Sequence, residues 1–118
     1  MGDERAILCR VFCPAPVVNA EVKLATDTWT HIQGGHPETN LDDLVHTLQF
    51  PQAVHRDAKK PNSVLIVGER SLPGSESLMR VSVKAGLADG PFVQTAHYAR
   101  DQIKTKQIWP TDEEGQDE

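Results

Sequence analysis

Two imidazoles and a carboxylate stand close together in the first third of the chain. The segment from Trp29 to Glu38 reads W-T-H-I-Q-G-G-H-P-E and holds two of the five histidines, His31 and His36. An imidazole titrates near neutral pH and a neighbouring carboxylate can orient it, so this set is suited to acid–base chemistry. Each histidine alone also fits a structural role, one on an exposed helix surface and one in a turn. Their concentration in one segment favours a functional site.

A short helix over residues 28–33 would position this segment. Trp29 and Ile32 would then share an apolar face of the helix. The expected N-cap is Asp27 or Thr26, because both side chains can accept a hydrogen bond from the first helical turn.

The glycine pair after this helix predicts how the chain turns. Gly34 and Gly35 are expected to end the helix, and the following His-Pro-Glu turn would bring the chain back. His31 would point away from the apolar side of the helix. We therefore predict that His31, His36 and Glu38 converge on one wall of a pocket.

A second group of candidates belongs to predicted strands and comprises cations, a hydroxyl and an imidazole: Arg56, Arg80, Lys84, Thr95 and His97. Arg80 and Lys84 are four residues apart, and Thr95 and His97 are two apart, so each pair shares one face of its strand. Guanidinium and ammonium groups suit a phosphate that gains charge during transfer. The alternative is an ordinary solvated sheet face.

The second predicted helix has the clearest periodicity. Asn40 is its expected N-cap, and Pro51 is expected to stop it. Four aliphatic residues follow the i, i+3, i+4, i+7 spacing of a single helix face: Leu41, Leu44, Val45 and Leu48.

The remaining periodicity predicts strands. Residues 6–12 form an N-terminal strand and residues 17–25 a second strand or an extended arm. Four further strands are predicted at residues 53–57, 64–69, 78–85 and 91–98. We therefore predict an α+β fold: two short N-terminal helices packed on an antiparallel sheet of about four strands, with an additional N-terminal strand or arm.

Length and charge predict one domain with an acidic tail. The chain has 118 residues and a formal charge of −5. Residues 112–118 hold five of the 17 acidic residues, which leaves 12 acids against 12 bases in residues 1–111. We predict a single domain over 1–111 and a disordered tail over 112–118.

No apolar run approaches the roughly 20 residues of a membrane span, and the N-terminus does not resemble a secretory signal, so we expect a cytoplasmic protein without a membrane partner.

Several classes of site lack their motifs. The chain has no Gly-rich phosphate loop, no G-x-S-x-G and no H-E-x-x-H. Aromatic residues are too few for a stacking platform for single-stranded nucleic acid. A metal site built from His31, His36, Glu38 and His97 is conceivable, but their spacing does not demand one. We predict neither a bound metal nor a cofactor.

The motifs taken together resemble a known family. The chain is similar to phage- and mobile-element-associated members of the barnase, EndoU, colicin E5/D and RelE type of RNase toxins. That family carries W-x-H-I-x-x-x-H-P-E, a helix that ends near a proline, strands, and a late T-A-aromatic strand followed by a basic residue and a tryptophan. The corresponding residues here are Trp29 to Glu38, the helix ending at Pro51, Thr95-Ala96-His97, Lys104 with Lys106, and Trp109. The resemblance covers residues 20–110, and His97 stands where the family has an aromatic residue.

This resemblance implies a metal-independent endoribonuclease. RNA, with tRNA among the candidates, would be cleaved by its own 2′-hydroxyl to leave a 2′,3′-cyclic phosphate. His31 or His36, oriented by Glu38, would be the general base, and the other histidine or His97 the general acid. Arg80, Lys84 or Arg56 would stabilise the phosphorane and Thr95 would bind a phosphate oxygen. Such toxins act with a cognate antitoxin or immunity protein.

Two other readings stay open. The charge of −5 also fits a non-enzymatic phage or mobile-element binding or inhibitor protein of the same shape that acts on a basic protein partner. A metal-dependent hydrolase is the third reading. Toxicity on expression that is relieved by a change at His36 would separate the RNase from the binding protein.

Overall fold

The computed structural model describes residues 6–58, 60, 62–86 and 88–110. Within this part the chain forms one sheet with two helices on one side of it. The predicted acidic tail, residues 112–118, lies outside the described residues. No helix in the described ranges is both long and apolar enough to cross a membrane.

The sheet has seven strands in the order β1-β2-β6-β5-β4-β3-β7. All neighbouring strands are antiparallel except β2 and β6, which are parallel and pair only at Lys23 and Phe92. The strands are β1 (Ile7–Cys13), β2 (Ala20–Ala25), β3 (Ala53–Arg56), β4 (Ser63–Ser71), β5 (Leu78–Lys84), β6 (Phe92–Ala99) and β7 (Gln107–Trp109).

The predicted sheet of about four antiparallel strands is therefore wrong. The strands of the predicted meander exist, but the N-terminal pair β1 and β2 joins the same sheet beside β6, and β7 adds a further strand beside β3. Alternation along a strand shows which side chains face the same way, and it contains no information about the neighbouring strand. The three residues of β7 are too few to show any periodicity.

The first helix, α1 (Thr26–Gly35), follows β2 directly. Ile32 is buried and Trp29 packs partly against the core, as the apolar pairing predicted. Two details differ from the prediction. The N-cap is Ala25, which makes no side-chain capping bond, and the glycine pair lies inside the last turn of the helix, which His36 closes with a backbone bond to Ile32.

The second helix, α2 (Leu41–Gln49), confirms its predicted start and face. The side chain of Asn40 accepts hydrogen bonds from the backbone N–H groups of Asp42 and Asp43. Leu44 and Leu48 are fully buried. The helix packs closely on β4 at Gly68, because a Cβ atom there would overlap the side chain of Thr47.

A single apolar core lies between the helices and one face of the sheet. It contains residues of β1 to β6 and of both helices, among them Leu24, Ile32, Leu48, Ile66 and Val81, all nearly or fully buried. The side of β5 that carries Met79, Val81 and Val83 belongs to this core. Both helices therefore cover the same face of the sheet, which we call the helix-covered face.

The opposite face of the sheet is covered by a connecting segment. Residues 101–105, here called the strap, join β6 to β7 and run across β5 and β4 towards β3. The strap is fixed at both ends. Arg80 donates to Asp101 at one end, and at the other the hydroxyl of Thr105 donates to the backbone oxygen of Arg56 over 2.6 Å. His55 Nδ1 also lies 3.1 Å from the carbonyl oxygen of Thr105.

Candidate active site

A cavity of about 710 Å³ lies between the strap and the sheet. Its floor comes from the strands that follow one another across the sheet, and its roof is the strap. Thr95 of β6 is opposite Ser82 of β5, which is opposite Leu65 of β4, so these three side chains form one row across the floor. His97 and Arg80 form the next row. The residues that line the cavity are Arg56, Asp57, Ala58, Lys60, Leu65, Arg80, Ser82, Thr95, His97, Asp101, Gln102, Ile103, Lys104 and Thr105.

Among the described residues, those that line the cavity carry more positive than negative charge. It has four cations, two arginines and two lysines, but only two carboxylates, Asp57 and Asp101. The chain as a whole has a formal charge of −5. A cavity of one sign in a protein of the other sign attracts ligands of charge opposite to the cavity, here anions.

Arg80 is the buried cation of this cavity. Its side chain is only 10% exposed, whereas that of its partner Asp101 is 80% exposed. Nη1 lies 3.2 Å from Asp101 Oδ1, and Nη2 donates to the backbone oxygen of the same residue. Its Nε–H is buried and has no hydrogen-bond partner in the described part of the chain. A guanidinium has five N–H groups, so Asp101 leaves part of this donor capacity unused.

His97 lines the cavity, and its ring stacks on that of His36. The rings of His36 and His97 are stacked, with their centroids 5.5 Å apart and an angle of 26° between their planes. Glu38 Oε2 lies 3.7 Å from His36 Nδ1, and both of these side chains are about half exposed. The predicted turn and the late strand, separated by some 60 residues of sequence, are thus brought together in space.

The surroundings of His97 favour the neutral form of its ring. Burial is the main cause that lowers its pKa from the ordinary value of 6.5, and the nearby charges of His36 and Arg80 lower it further. Asp101 and Glu38 oppose this effect but do not outweigh it. A neutral imidazole at neutral pH can accept a proton, so His97 is equipped as a general base.

A network of hydrogen bonds fixes the floor of the cavity beside these groups. The hydroxyl of Ser82 lies 2.9 Å from Asp57 Oδ2 and 3.2 Å from Gln94 Oε1, and the hydroxyl of Ser63 donates to the same amide oxygen over 2.9 Å. Ser82 and Ser63 are both buried. The network ties β4, β5, β6 and the turn after β3 into one surface, which keeps the row of Thr95 in place.

The structure brings most of the predicted candidates together. Arg56, Arg80, Thr95 and His97 line the cavity. His36, with Glu38 beside it, does not line the cavity but stacks on the ring of His97.

Two predicted candidates lie elsewhere. His31 is exposed on α1 and lines a separate shallow pocket with Asp27, Thr28 and Gln94. Lys84, near the end of β5, does not line the cavity. The predicted convergence of His31 with His36 and Glu38 on one wall is therefore not what the structure shows, because His31 lies on the exposed surface of α1 and lines a different pocket, whereas His36 and Glu38 follow the helix.

Several polar residues that line the cavity were not predicted as site residues, among them Ser82, Asp57 and Asp101. Ser82 lies between Arg80 and Lys84 on the polar side of its strand, and that alternation was sufficient to find it. Asp57 and Asp101 lie in turns without periodicity, and only the fold shows that they reach the cavity.

The described residues contain no group of three or more histidine, cysteine, aspartate or glutamate side chains arranged to hold a metal ion. Cys9 and Cys13 are both free thiols, and burial raises the pKa of each.

No protein-family model, curated protein or solved structure matches this chain significantly. The resemblance to RNase toxins accordingly stays a prediction.

Proposed function

We propose that this protein is a metal-independent endoribonuclease that cleaves RNA through attack of the ribose 2′-hydroxyl on the adjacent phosphate. The observation that carries the proposal is the stacking of His36 on His97, which lines the same cavity as the buried Arg80. Two imidazoles can supply the base and the acid of one phosphodiester transfer, and a guanidinium can stabilise the charge that develops on phosphorus-bound oxygen.

The roles follow from the surroundings of each imidazole. His97, whose pKa is lowered chiefly by burial, takes the proton of the 2′-hydroxyl. The 2′-oxygen then forms a bond to phosphorus and the bond to the 5′-oxygen breaks, which leaves a 2′,3′-cyclic phosphate. His36, oriented by Glu38, gives a proton to the departing 5′-oxygen. One phosphate can contact both rings because their centroids are only 5.5 Å apart.

The cavity supplies the binding energy for a polyanion. Arg80 lies in the strand position opposite His97, and Thr95 is two residues away on the same side, so both can contact the reacting phosphate. Arg56, Lys60 and Lys104 line the remainder of the cavity and suit neighbouring phosphates of the chain. RNA, with tRNA among the candidates, is the substrate class of this proposal, and the cytoplasm is the place of action. A cognate antitoxin or immunity protein would be the partner that restrains it.

The test is cleavage of total cellular RNA and of tRNA in excess chelator by the wild-type protein, His36→Ala and the matched control His31→Ala. The loss of one acid–base group commonly lowers a rate by roughly 10²–10⁴-fold, so we expect a loss of this size for His36→Ala. His31 lies on the exposed surface of α1 away from the cavity, so its removal should leave the rate unchanged.

The ends of the products complete the test. Chelator-resistant cutting with 2′,3′-cyclic phosphate ends supports the proposal. Equal rates for wild type and His36→Ala would remove the imidazole pair from the mechanism. If the folded wild-type protein cuts no RNA, the proposal fails, and the net charge of −5 then favours the binding protein that acts on a basic partner. A pull-down with the wild-type protein would identify that partner.

A further inference from the structure

Tyr98 connects β6, which carries the candidate base His97, to the loop that carries the candidate acid His36. It follows His97 in β6, but its side chain points to the opposite, helix-covered face, where it packs against the core. Its hydroxyl donates to Asp43 Oδ2 over 2.6 Å and accepts a hydrogen bond from the backbone N–H of Asn40 at 3.3 Å. One hydroxyl therefore joins β6 to the start of α2.

The loop that ends at Asn40 is fixed by its own hydrogen bonds. The backbone N–H of His36 donates to Ile32, and that of Thr39 donates to the carbonyl of His36, over 2.7 Å and 3.0 Å. The side-chain amide of Gln33 donates to the carbonyl of Thr39 over 3.0 Å. A loop bonded in this way moves as one piece, so a restraint on Asn40 is also a restraint on His36.

We propose that Tyr98 is a positioning residue whose hydroxyl, through Asn40 and Asp43, holds the ring of His36 against that of His97. This goes beyond the proposed function, because the ring contact exists and can be measured whether or not RNA is the substrate. Tyr98 is not among the residues that line the cavity, and it acts through the loop.

The ionisation state of Tyr98 suits a hydrogen-bond donor. Burial, the hydrogen bond to Asp43 and the nearby charges of Asp43 and Glu38 together raise the pKa of Tyr98 to about 12, although the bond from the Asn40 backbone opposes them. The hydroxyl thus keeps its proton, and the bond to Asp43 stays intact, over the whole range in which the histidines titrate.

Arg70 provides a matched control. It binds the other oxygen of the same carboxylate, Asp43 Oδ1, at 3.3 Å, and its Nη2 lies 3.3 Å from His46 Nδ1. Arg70→Gln removes this ion pair from Asp43 without touching the bond from Tyr98. Tyr98→Phe removes only the hydroxyl and retains the ring that packs on the core. A comparison of the two variants therefore separates the effect of losing the Tyr98 hydrogen bonds from the effect of a general disturbance of α2.

The experiment is an NMR titration of the histidines in the wild-type protein, Tyr98→Phe and Arg70→Gln, together with steady-state cleavage. The groups that act on the His97 ring are His36 and Glu38 from the loop, Arg80 from β5 and Asp101 from the strap. When the loop is released, burial of His97 and the charge of His36 both diminish. We expect the pKa of His97 to rise towards 6.5 in Tyr98→Phe and to stay at its wild-type value in Arg70→Gln.

We also expect the cleavage kinetics to change in Tyr98→Phe. A misplaced acid costs turnover rather than binding, so kcat of Tyr98→Phe should fall by roughly 10–100-fold with KM little changed. An unchanged His97 titration and an unchanged contact between the two rings in a folded Tyr98→Phe would overturn the proposal, and so would an equal change in Arg70→Gln. If the wild-type protein cuts no RNA, only the proposed function fails, because the titration still decides the role of Tyr98.

Discussion

The two faces of the sheet are built from the same strands and have opposite character. On β5 the residues Met79, Val81 and Val83 enter the apolar core beneath the helices, while Arg80 and Ser82 between them face the strap. All five are buried. The helix-covered face is packed with apolar side chains, which need no hydrogen-bond partners. The strap-covered face leaves a cavity that includes polar side chains, which do need such partners.

This difference separates stability from chemistry. Burial of apolar surface contributes about 25 cal/mol per Å², and nearly all of the fully buried large side chains belong to the helix-covered face. Neutral hydrogen bonds such as that between Ser63 and Gln94 replace bonds to water and add only about 0.5–1.5 kcal/mol each. Substitutions on the two faces should therefore have distinguishable effects.

The largest effect on stability is expected at the helix-covered face. Leu48 is fully buried in α2, and Leu48→Ala should lower the free energy of unfolding by about 2–5 kcal/mol through lost burial and the cavity it leaves. Urea denaturation followed by fluorescence of the two tryptophans measures it. Under conditions where the variant stays folded, its cleavage rate should equal that of wild type. A large drop in rate in the folded variant would show that the two faces are not separable.

A smaller effect is expected where α2 approaches the sheet. A Cβ atom at Gly68 would overlap Thr47 Oγ1 and lie 2.8 and 2.9 Å from its Cγ2 and Cβ atoms, so Gly68→Ala should cost about 1–3 kcal/mol. The control is Gly34→Ala in α1, where a Cβ atom would meet nothing within 4 Å. Alanine suits a helix better than glycine, so the control should gain about 0.5–1 kcal/mol. Thermal unfolding of both variants measures the difference, and equal shifts of the same sign would contradict the close approach.

The smallest effect concerns the strap-covered face and depends on pH. The pKa of His97 is lowered in the folded protein, chiefly by burial, so the unfolded chain binds the proton more readily. The contribution of neutral His97 is thus fully present above pH 6.5 and is lost as the pH falls through the lowered pKa of the folded state. In His97→Gln the loss of stability below pH 6.5 should be smaller than in wild type. Urea denaturation of both proteins across that interval checks it, and identical pH dependence would rule it out.

The sequence predicted local structure better than assembly. Asn40 and the aliphatic spacing from Leu41 to Leu48 define α2, because a cap and a helical period are both local signals. β2 pairs with β6 in parallel at Lys23 and Phe92. These two residues are far apart in the sequence, so no local sequence pattern predicts their pairing. The sheet was therefore predicted too small although most of its strands were found.

The candidate site shows the same limit. Arg80, Thr95 and His97 were found because alternation assigns them to polar strand faces, and His36 and Glu38 because of their concentration in one turn. Asp101 was missed, since its role depends on a strap that crosses the sheet. The role of Tyr98 depends on a bond to Asp43, which is more than 50 residues away. Long-range contacts of this kind follow only from the completed fold.

The single pair that joins β2 to β6 also bears on the order in which the molecule can assemble. The antiparallel ladders from β3 to β6 connect neighbours in sequence through short turns, so their closure costs little chain entropy. In the described part of the chain, the hairpin of β1 and β2 reaches the rest of the sheet at Lys23, which pairs with Phe92 and also donates to the carbonyl oxygens of Pro91 and Asp89, and through the apolar core. We expect the β3–β6 meander to form the folding nucleus, and the N-terminal hairpin to dock last and to open first. The cavity floor would then be built before the loop that carries His36 is carried into place beside it.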